Sequence, residues 1–223
     1  DKTLERLKDA DIRENIKKET SNFINRFHGA EGCVLADYAA QSSLEGLNLY
    51  EISKKFKTTP EEAVMRLYEK SEGSFVLHSM EEDDVHEIAK YKNICVASDG
   101  NSLRNTGPLS SGKPHPRSYG TNTRYLENFV KEKKLVKLSD AIFRMTTLPA
   151  KRIGLKKRGE ILKDYFADIN IFKLKDIKEN ATYKNPHKYS KGMKYVFVNG
   201  KLSVQDGQKL SGRYGRVIRS LVE

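Results

Sequence analysis

The sequence predicts an α/β protein whose strand-and-helix units give way to a β-rich tail, and an incomplete one. Three observations carry this. Short apolar runs alternate with amphipathic stretches between residues 32 and 100, the pattern of βαβ units on a parallel sheet. Two apolar runs flank Asn199-Gly200, a two-residue hairpin signal. Most limiting is the count: about three strand-helix units precede the tail, whereas a closed eight-unit barrel takes roughly 250 residues. The chain of 223 residues therefore cannot close such a barrel alone, and fits the last part of one.

Each element has a local reason. Ile12, Ile16, Phe23, Ile24 and Phe27 recur on one face, which predicts a helix over 11–27. Residues 32–36 read as a short buried strand, and 49–56 and 60–68 as helices, the second opened by Thr59 and Pro60. A strand at 74–78 follows, then Ser79 with Glu82 three residues later, a capping-box start for a helix to about Ala89. Asn93 to Ala97 reads as another strand, ending at Ser98-Asp99-Gly100. A long loop rich in Gly, Ser and Pro comes next, and such a loop inside a compact domain usually has a role. Helices are predicted over 123–133 and from a Ser139 cap to Thr147, with a short turn at Pro149. Residues 167–172 alternate, and 195–198 and 201–204 form the hairpin arms. The boundary between the two parts falls near residue 157, giving 1–157 and 158–223.

Composition limits the functional classes. Hydrophobic residues make up 37% and charged ones 32%, polar but sufficient for a core. No apolar run approaches the roughly 20 residues a membrane helix needs, and Asp1-Lys2-Thr3 opens no signal peptide. Cys33 and Cys95 sit in apolar runs as small hydrophobes rather than as a disulfide framework, which predicts a cytoplasmic protein. A start without methionine fits a processed product or a piece of something longer. Net charge is +11, so nucleic acid is considered. The lysines are interleaved with acids along the whole chain, without an RNA-binding aromatic motif, zinc-finger spacing or basic helix face, and read as a solvated surface.

Asp99 follows a predicted buried strand, which would place its carboxylate at the strand's C-terminal end, the catalytic face of a barrel. A carboxylate there can take a proton from a metal-bound water and return it to a leaving group, as amide hydrolysis requires. The same Asp-Gly pair is also a common turn. The stretch Lys113-Pro114-His115-Pro116-Arg117 is read as stiff and non-helical, because each proline fixes its own φ and restrains its predecessor. Arg117 can grip a carboxylate with its planar fork or be a surface arginine, and His115 can carry a proton, line a pocket or face solvent. His28, His78, His86 and His187 show no HxH or HExxH spacing, so the chain holds no complete metal motif.

Taken in order, Ala97-Ser98-Asp99-Gly100, Gly112 to Thr121, Ala141 to Ala150, Gly154-Leu155, Arg158-Gly159-Glu160-Ile161, Ala167-Asp168-Ile169, Asn185-Pro186-His187, Val198-Asn199-Gly200 and Gly215 to Arg219 resemble the C-terminal part of the N-acyl-D-amino-acid deacylases. Ser79 to Val85 resembles the family segment before the last barrel strand. The resemblance implies the last βα units of a TIM-like barrel, a small β-sandwich portion and a zinc-centred site hydrolysing N-acyl-D-amino acids. It implies Asp99 as acid/base beside, and possible ligand of, the zinc, Arg117 as the contact of the substrate carboxylate, and His115 as a further substrate contact. The family's other zinc ligands lie outside this sequence. Its partners are then the small-molecule N-acyl-amino acid and the remaining barrel portion, with no membrane and no nucleic acid. The chain alone is expected to be inactive.

Asn122-Thr123 stands where the family usually has Phe-Pro, Lys163-Asp164 replaces a small turn, and Tyr214 replaces a common proline. The first of these lies beside the carboxylate loop and puts substrate choice in question. Two other readings stay open: a cyclic-amide hydrolase of the dihydroorotase kind, sharing Asp99 but not the loop, and a basic binding module without catalysis.

Overall fold

The structure, a computed structural model, describes residues 2–218; Asp1 and residues 219–223, including Arg219 of the final arginine motif, lie outside the described residues. The chain divides into two compact units. One comprises Asp1–Glu81, Leu103–Pro116 and Thr182–His187, the other Glu82–Ser102, Arg117–Ala181 and Lys188–Glu223.

The first unit begins with helices α1 (Lys2–Arg6) and α2 (Ala10–Asn25). Asp9 caps α2, accepting from the amides of Asp11 and Ile12 at 3.0 Å. Strand β1 (Cys33–Asp37) is followed by α3 (Leu49–Phe56), α4 (Pro60–Lys70) and β2 (Ser74–Leu77). Asn48 and Glu51 form a capping box on α3, and Thr59 with Pro60 opens α4 as predicted. Leu35, Tyr38, Leu49, Ile52, Ala63 and Leu67 form the core, with Tyr38 donating to the Leu67 carbonyl at 2.8 Å.

The predicted parallel pairing of these two strands does not occur. β1 and β2 are antiparallel, with Cys33 opposite Leu77 and Asp37 opposite Ser74. The connection explains this. One helix between two strands returns the chain to the first strand's starting end; the second helix, α4, brings it back to the end it left, so β2 must run the other way.

The second unit holds α5 (Glu82–Lys90), α6 (Arg117–Arg124), α7 (Leu138–Met145), α8 (Thr147–Arg152) and a sheet of β3 (Ile169–Phe172), β4 (Met193–Val198), β5 (Lys201–Gln205) and β6 (Gln208–Lys209). The sheet is antiparallel in the order β3-β4-β5-β6. Asn199 and Gly200, at φ +49° and +77°, make the turn between β4 and β5. α5 starts at Glu82, three residues past the predicted Ser79 cap, with Glu82, Asp83 and Asp84 in its first turn, where the helix dipole favours acids. α6 begins at Arg117, earlier than predicted, and runs into a π-helical stretch, Tyr125–Glu132, whose Tyr125, Leu126, Phe129 and Val130 enter the second core. α7 is preceded by Lys137, which gives no side-chain cap, so Ser139 lies inside the helix.

Residues 93–97 are not a strand. Their main chain is held by helices rather than by a neighbouring strand: the Val96 amide donates to the Arg144 carbonyl at 3.1 Å, and Arg152 donates to the Asn93 carbonyl at 2.6 Å. Arg144, 3% exposed, donates to the carbonyls of Ala89 and Lys90 and to the Tyr125 hydroxyl. An extended run becomes a strand only where another edge supplies its hydrogen bonds. Cys33 and Cys95 are free thiols, the first buried and the second only half-buried.

Candidate functional site

Asp99 follows this extended segment and sits at φ +48°, a left-handed conformation that aspartate tolerates better than most residues. The turn it forms with Gly100 docks on the start of α6. A Cβ built on Gly100 would come within 2.8 Å of Ser118 Cα and 3.0 Å of the Arg117 carbonyl oxygen. Only glycine admits that approach. The Asn101 amide donates to Ser118 Oγ at 3.2 Å, and the Gly100 amide to Ser98 Oγ at 3.2 Å.

The docking brings two of the predicted residues together. Arg117 Nη2 lies 2.9 Å from Asp99 Oδ2, with the side chains 44% and 84% exposed. An ion pair this exposed is worth about 0–1 kcal/mol, so a competing carboxylate can replace Asp99 on the guanidinium at little cost. Arg117 is not in a stiff non-helical loop as expected: the irregular segment stops at Pro116, and Arg117 is the first residue of α6. Proline just ahead of a helix, with φ already near the helical value, suits that boundary. Asp99 likewise is not at the end of a buried parallel strand, because no strand forms before it.

His115 belongs to the first unit. The loop before it is pinned to the end of β1: the Lys113 amide donates to the Ala36 carbonyl, and Gly112, at φ +69°, leaves no room for a side chain, since a Cβ would lie 2.7 Å from that same oxygen. His115 Nε2 is 3.2 Å from Tyr183 Oη. The Tyr183 ring also packs on His78, centroids 4.6 Å apart. Among the described residues nothing hydrogen-bonds His78 Nε2, which is buried. Gly100, Ser118, His78 and Tyr183 were not singled out by the sequence. The Asp99-Gly100 pair was a usable signal for the first; nothing in residue spacing links position 183 to position 115.

In the same unit, burial pushes the His187 imidazole down from its ordinary value, and the Lys113 cation adds to this. In the second unit the Glu179 carboxyl is pushed up by burial; Arg124 opposes the shift and Glu127 adds to it. Tyr119 packs against Tyr189 at 6.1 Å, and burial raises its phenol above the usual range.

Among the described residues no group of three or more His, Cys, Asp or Glu side chains could hold a metal ion. With Asp99 on Arg117 and both cysteines free, the residues present do not fit a zinc centre by themselves. A cleft of about 370 Å³ in the second unit is lined by Ile142, Thr146, Gly159, Asp168, Asn170 and Phe172 among others. Among the described residues no helix is long and apolar enough to cross a membrane.

Comparison with known proteins gives the chemistry a setting. Residues 102–204 match the amidohydrolase family, a span that includes His115 and Arg117 and starts just after Asp99. An N-acyl-D-aspartate deacylase of Alcaligenes xylosoxydans xylosoxydans is 32% identical over 174 residues, 78% of this chain and 33% of the relative. A D-aminoacylase of the same organism is 34% identical over 140 residues, 62% of this chain and 27% of the relative. The crystal structure of a Bordetella bronchiseptica N-acyl-D-glutamate deacylase, complexed with zinc and a phosphonate mimic of the tetrahedral intermediate, superposes with a TM-score of 0.75 at 28% identity, over 87% of this chain and 39% of that one. The chain spans about a third of the length of the curated relatives it matches.

Proposed function

From a chain that carries an amidohydrolase segment and is related to the N-acyl-D-amino-acid deacylases, we propose that it is the C-terminal portion of a zinc-dependent enzyme hydrolysing N-acyl-D-amino acids to a carboxylate and a D-amino acid. In that reading residues 1–157 complete a barrel and residues 158–223 a β-rich segment, and the zinc ligands belong to the part of the protein outside this chain. The chain alone is then inactive. The observation that carries the reading is the juxtaposition of Asp99 and Arg117 at 2.9 Å, a proton-accepting carboxylate beside a carboxylate-binding guanidinium.

An N-acyl amino acid presents these two groups with a scissile amide and, a few bonds away, a carboxylate. Arg117 binds that carboxylate by charge-assisted hydrogen bonds, displacing Asp99. Asp99, released, accepts a proton from the attacking water and delivers it to the amide nitrogen as the C–N bond breaks, so the amine leaves neutral. His115 contributes a further polar contact to the substrate.

The test is Asp99→Asn in the full-length enzyme, which keeps the shape but cannot accept the proton. We expect kcat to fall by about 10² to 10⁴ with KM little changed. A variant within about twofold of wild-type kcat would reduce Asp99 to a turn residue.

A further inference from the structure

The two main-chain amides that follow Asp99 are both taken by serine oxygens. The Gly100 amide donates to Ser98 Oγ and the Asn101 amide to Ser118 Oγ, each at 3.2 Å. A main-chain amide can only donate, so the hydroxyl oxygen is the acceptor in both bonds. The two serines differ in what they join. Ser98 lies inside the turn, whereas Ser118 is 17 residues beyond Asn101, in the first turn of α6 and next to Arg117. That turn of the helix is itself held, since Thr121 Oγ1 donates to the Arg117 carbonyl at 3.0 Å. Asp99 needs such support: its left-handed backbone, at φ +48°, is disfavoured for a residue with a Cβ and persists only where the surroundings hold it. The contact of Gly100 with the helix limits how closely the turn approaches but has no preferred direction. The Asn101–Ser118 hydrogen bond does, and it fixes the angle at which the turn sits.

We infer that Ser118 is a positioning residue: its hydroxyl oxygen orients the Asp99 turn on α6 and so sets where the Asp99 carboxylate stands relative to Arg117. Ser118 acts through Asp99 and not on the substrate. Because Arg117 takes its place from α6, loss of the Ser118 oxygen frees the turn and leaves the guanidinium where it is. A misplaced acid/base slows proton transfer, whereas a guanidinium left in place still grips the substrate carboxylate. The kinetic consequence rests on the reading of Asp99 as the acid/base of an N-acyl-D-amino-acid deacylase; the hold on the turn does not.

The test compares Ser118→Ala, which removes only the hydroxyl, with Ser118→Thr, which keeps an acceptor oxygen on the same Cβ, both in the full-length protein. Hydrogen exchange at the Asn101 amide should be about two- to tenfold faster in Ser118→Ala than in wild type, the range of one neutral hydrogen bond, and stay near wild type in Ser118→Thr. For an N-acyl-D-amino acid, kcat should fall by a similar factor in Ser118→Ala with KM little changed, and recover in Ser118→Thr. Adding Ser118→Ala to Asp99→Asn should lower kcat no further. Asn101 exchange that does not respond to Ser118→Ala overturns the inference. So does an equal fall in kcat in the alanine and threonine variants, or one that persists undiminished in the Asp99→Asn background. If the protein hydrolyses no N-acyl amino acid at all, the proposed function fails while the exchange rates still decide the role of Ser118.

Discussion

Arg117 Nη2 stands 2.9 Å from Asp99 Oδ2, and the two residues reach each other because Gly100 lets the chain between them touch the first turn of α6. Backbone approach therefore sets where the two side chains meet, while both stay exposed to solvent.

That dependence gives the first prediction. In Gly100→Ala the new methyl meets Ser118 Cα and the Arg117 carbonyl, both backbone and unable to swing aside. Overpacking of this kind costs about 1–3 kcal/mol. Urea unfolding should show the loss, and in the full-length enzyme KM for N-acyl-D-amino acids should rise as Arg117 is displaced. Unchanged stability would mean that the turn does not dock on α6.

Arg144 ties the end of α5 to Tyr125 in the same unit. Its partners are two carbonyls at the end of α5 and a buried phenol, so Arg144→Met leaves at least the Ala89 carbonyl and the Tyr125 hydroxyl without a donor in the interior. Each buried unsatisfied group costs about 1–3 kcal/mol, and methionine returns part of the lost packing. A net loss of about 2–4 kcal/mol in chemical denaturation is expected; a loss below about 0.5 kcal/mol would show that water replaces the guanidinium.

These residues also show how far the sequence could be read. The hairpin at Asn199-Gly200 was legible because left-handed backbone at both turn positions is a local demand met by local chemistry. The Thr59-Pro60 helix start was legible for the same reason. The segment before Asp99 was not, since whether an apolar extended run becomes a strand depends on a neighbour the sequence does not name, and here Arg144 and Arg152 take that neighbour's place. The direction of β2 was missed by counting strands and helices without counting reversals. At the candidate site Asp99, His115 and Arg117 could be singled out by residue type and motif order, whereas Tyr183 and Ser118 enter only through tertiary contacts.

Glu179 gives a prediction for pH. Its side chain is 9% exposed, and burial holds its carboxyl above the ordinary range, so the folded state binds this proton more tightly than the unfolded chain does. Stability contributed by this group is therefore greatest below the unfolded carboxylate value and is lost as pH rises through the folded one. Glu179→Gln removes the titration. The variant should gain on wild type in denaturation midpoint at pH 8 relative to pH 4, and a difference that is flat across this span would mean that Arg124 already compensates the buried charge.

The last prediction separates the two roles open to Arg117, substrate grip or structural tie. A planar fork binds a carboxylate through paired charge-assisted hydrogen bonds, which the compact ammonium of lysine cannot copy. Both Arg117→Lys and Arg117→Ala in the full-length enzyme should therefore raise KM for N-acetyl-D-amino acids, the alanine variant by about 10- to 100-fold if a charged hydrogen-bonded contact of roughly 1.5–3 kcal/mol is lost. The corresponding N-acetyl-amino-acid amides carry no carboxylate, so wild type and both variants should process them about equally. Comparing kcat/KM for acid and amide in the three proteins gives the contrast. If Arg117 serves only to tie the Asp99 turn to α6, losing the 2.9 Å pair disturbs both substrates alike, and equal losses on acid and amide would assign it that structural role instead.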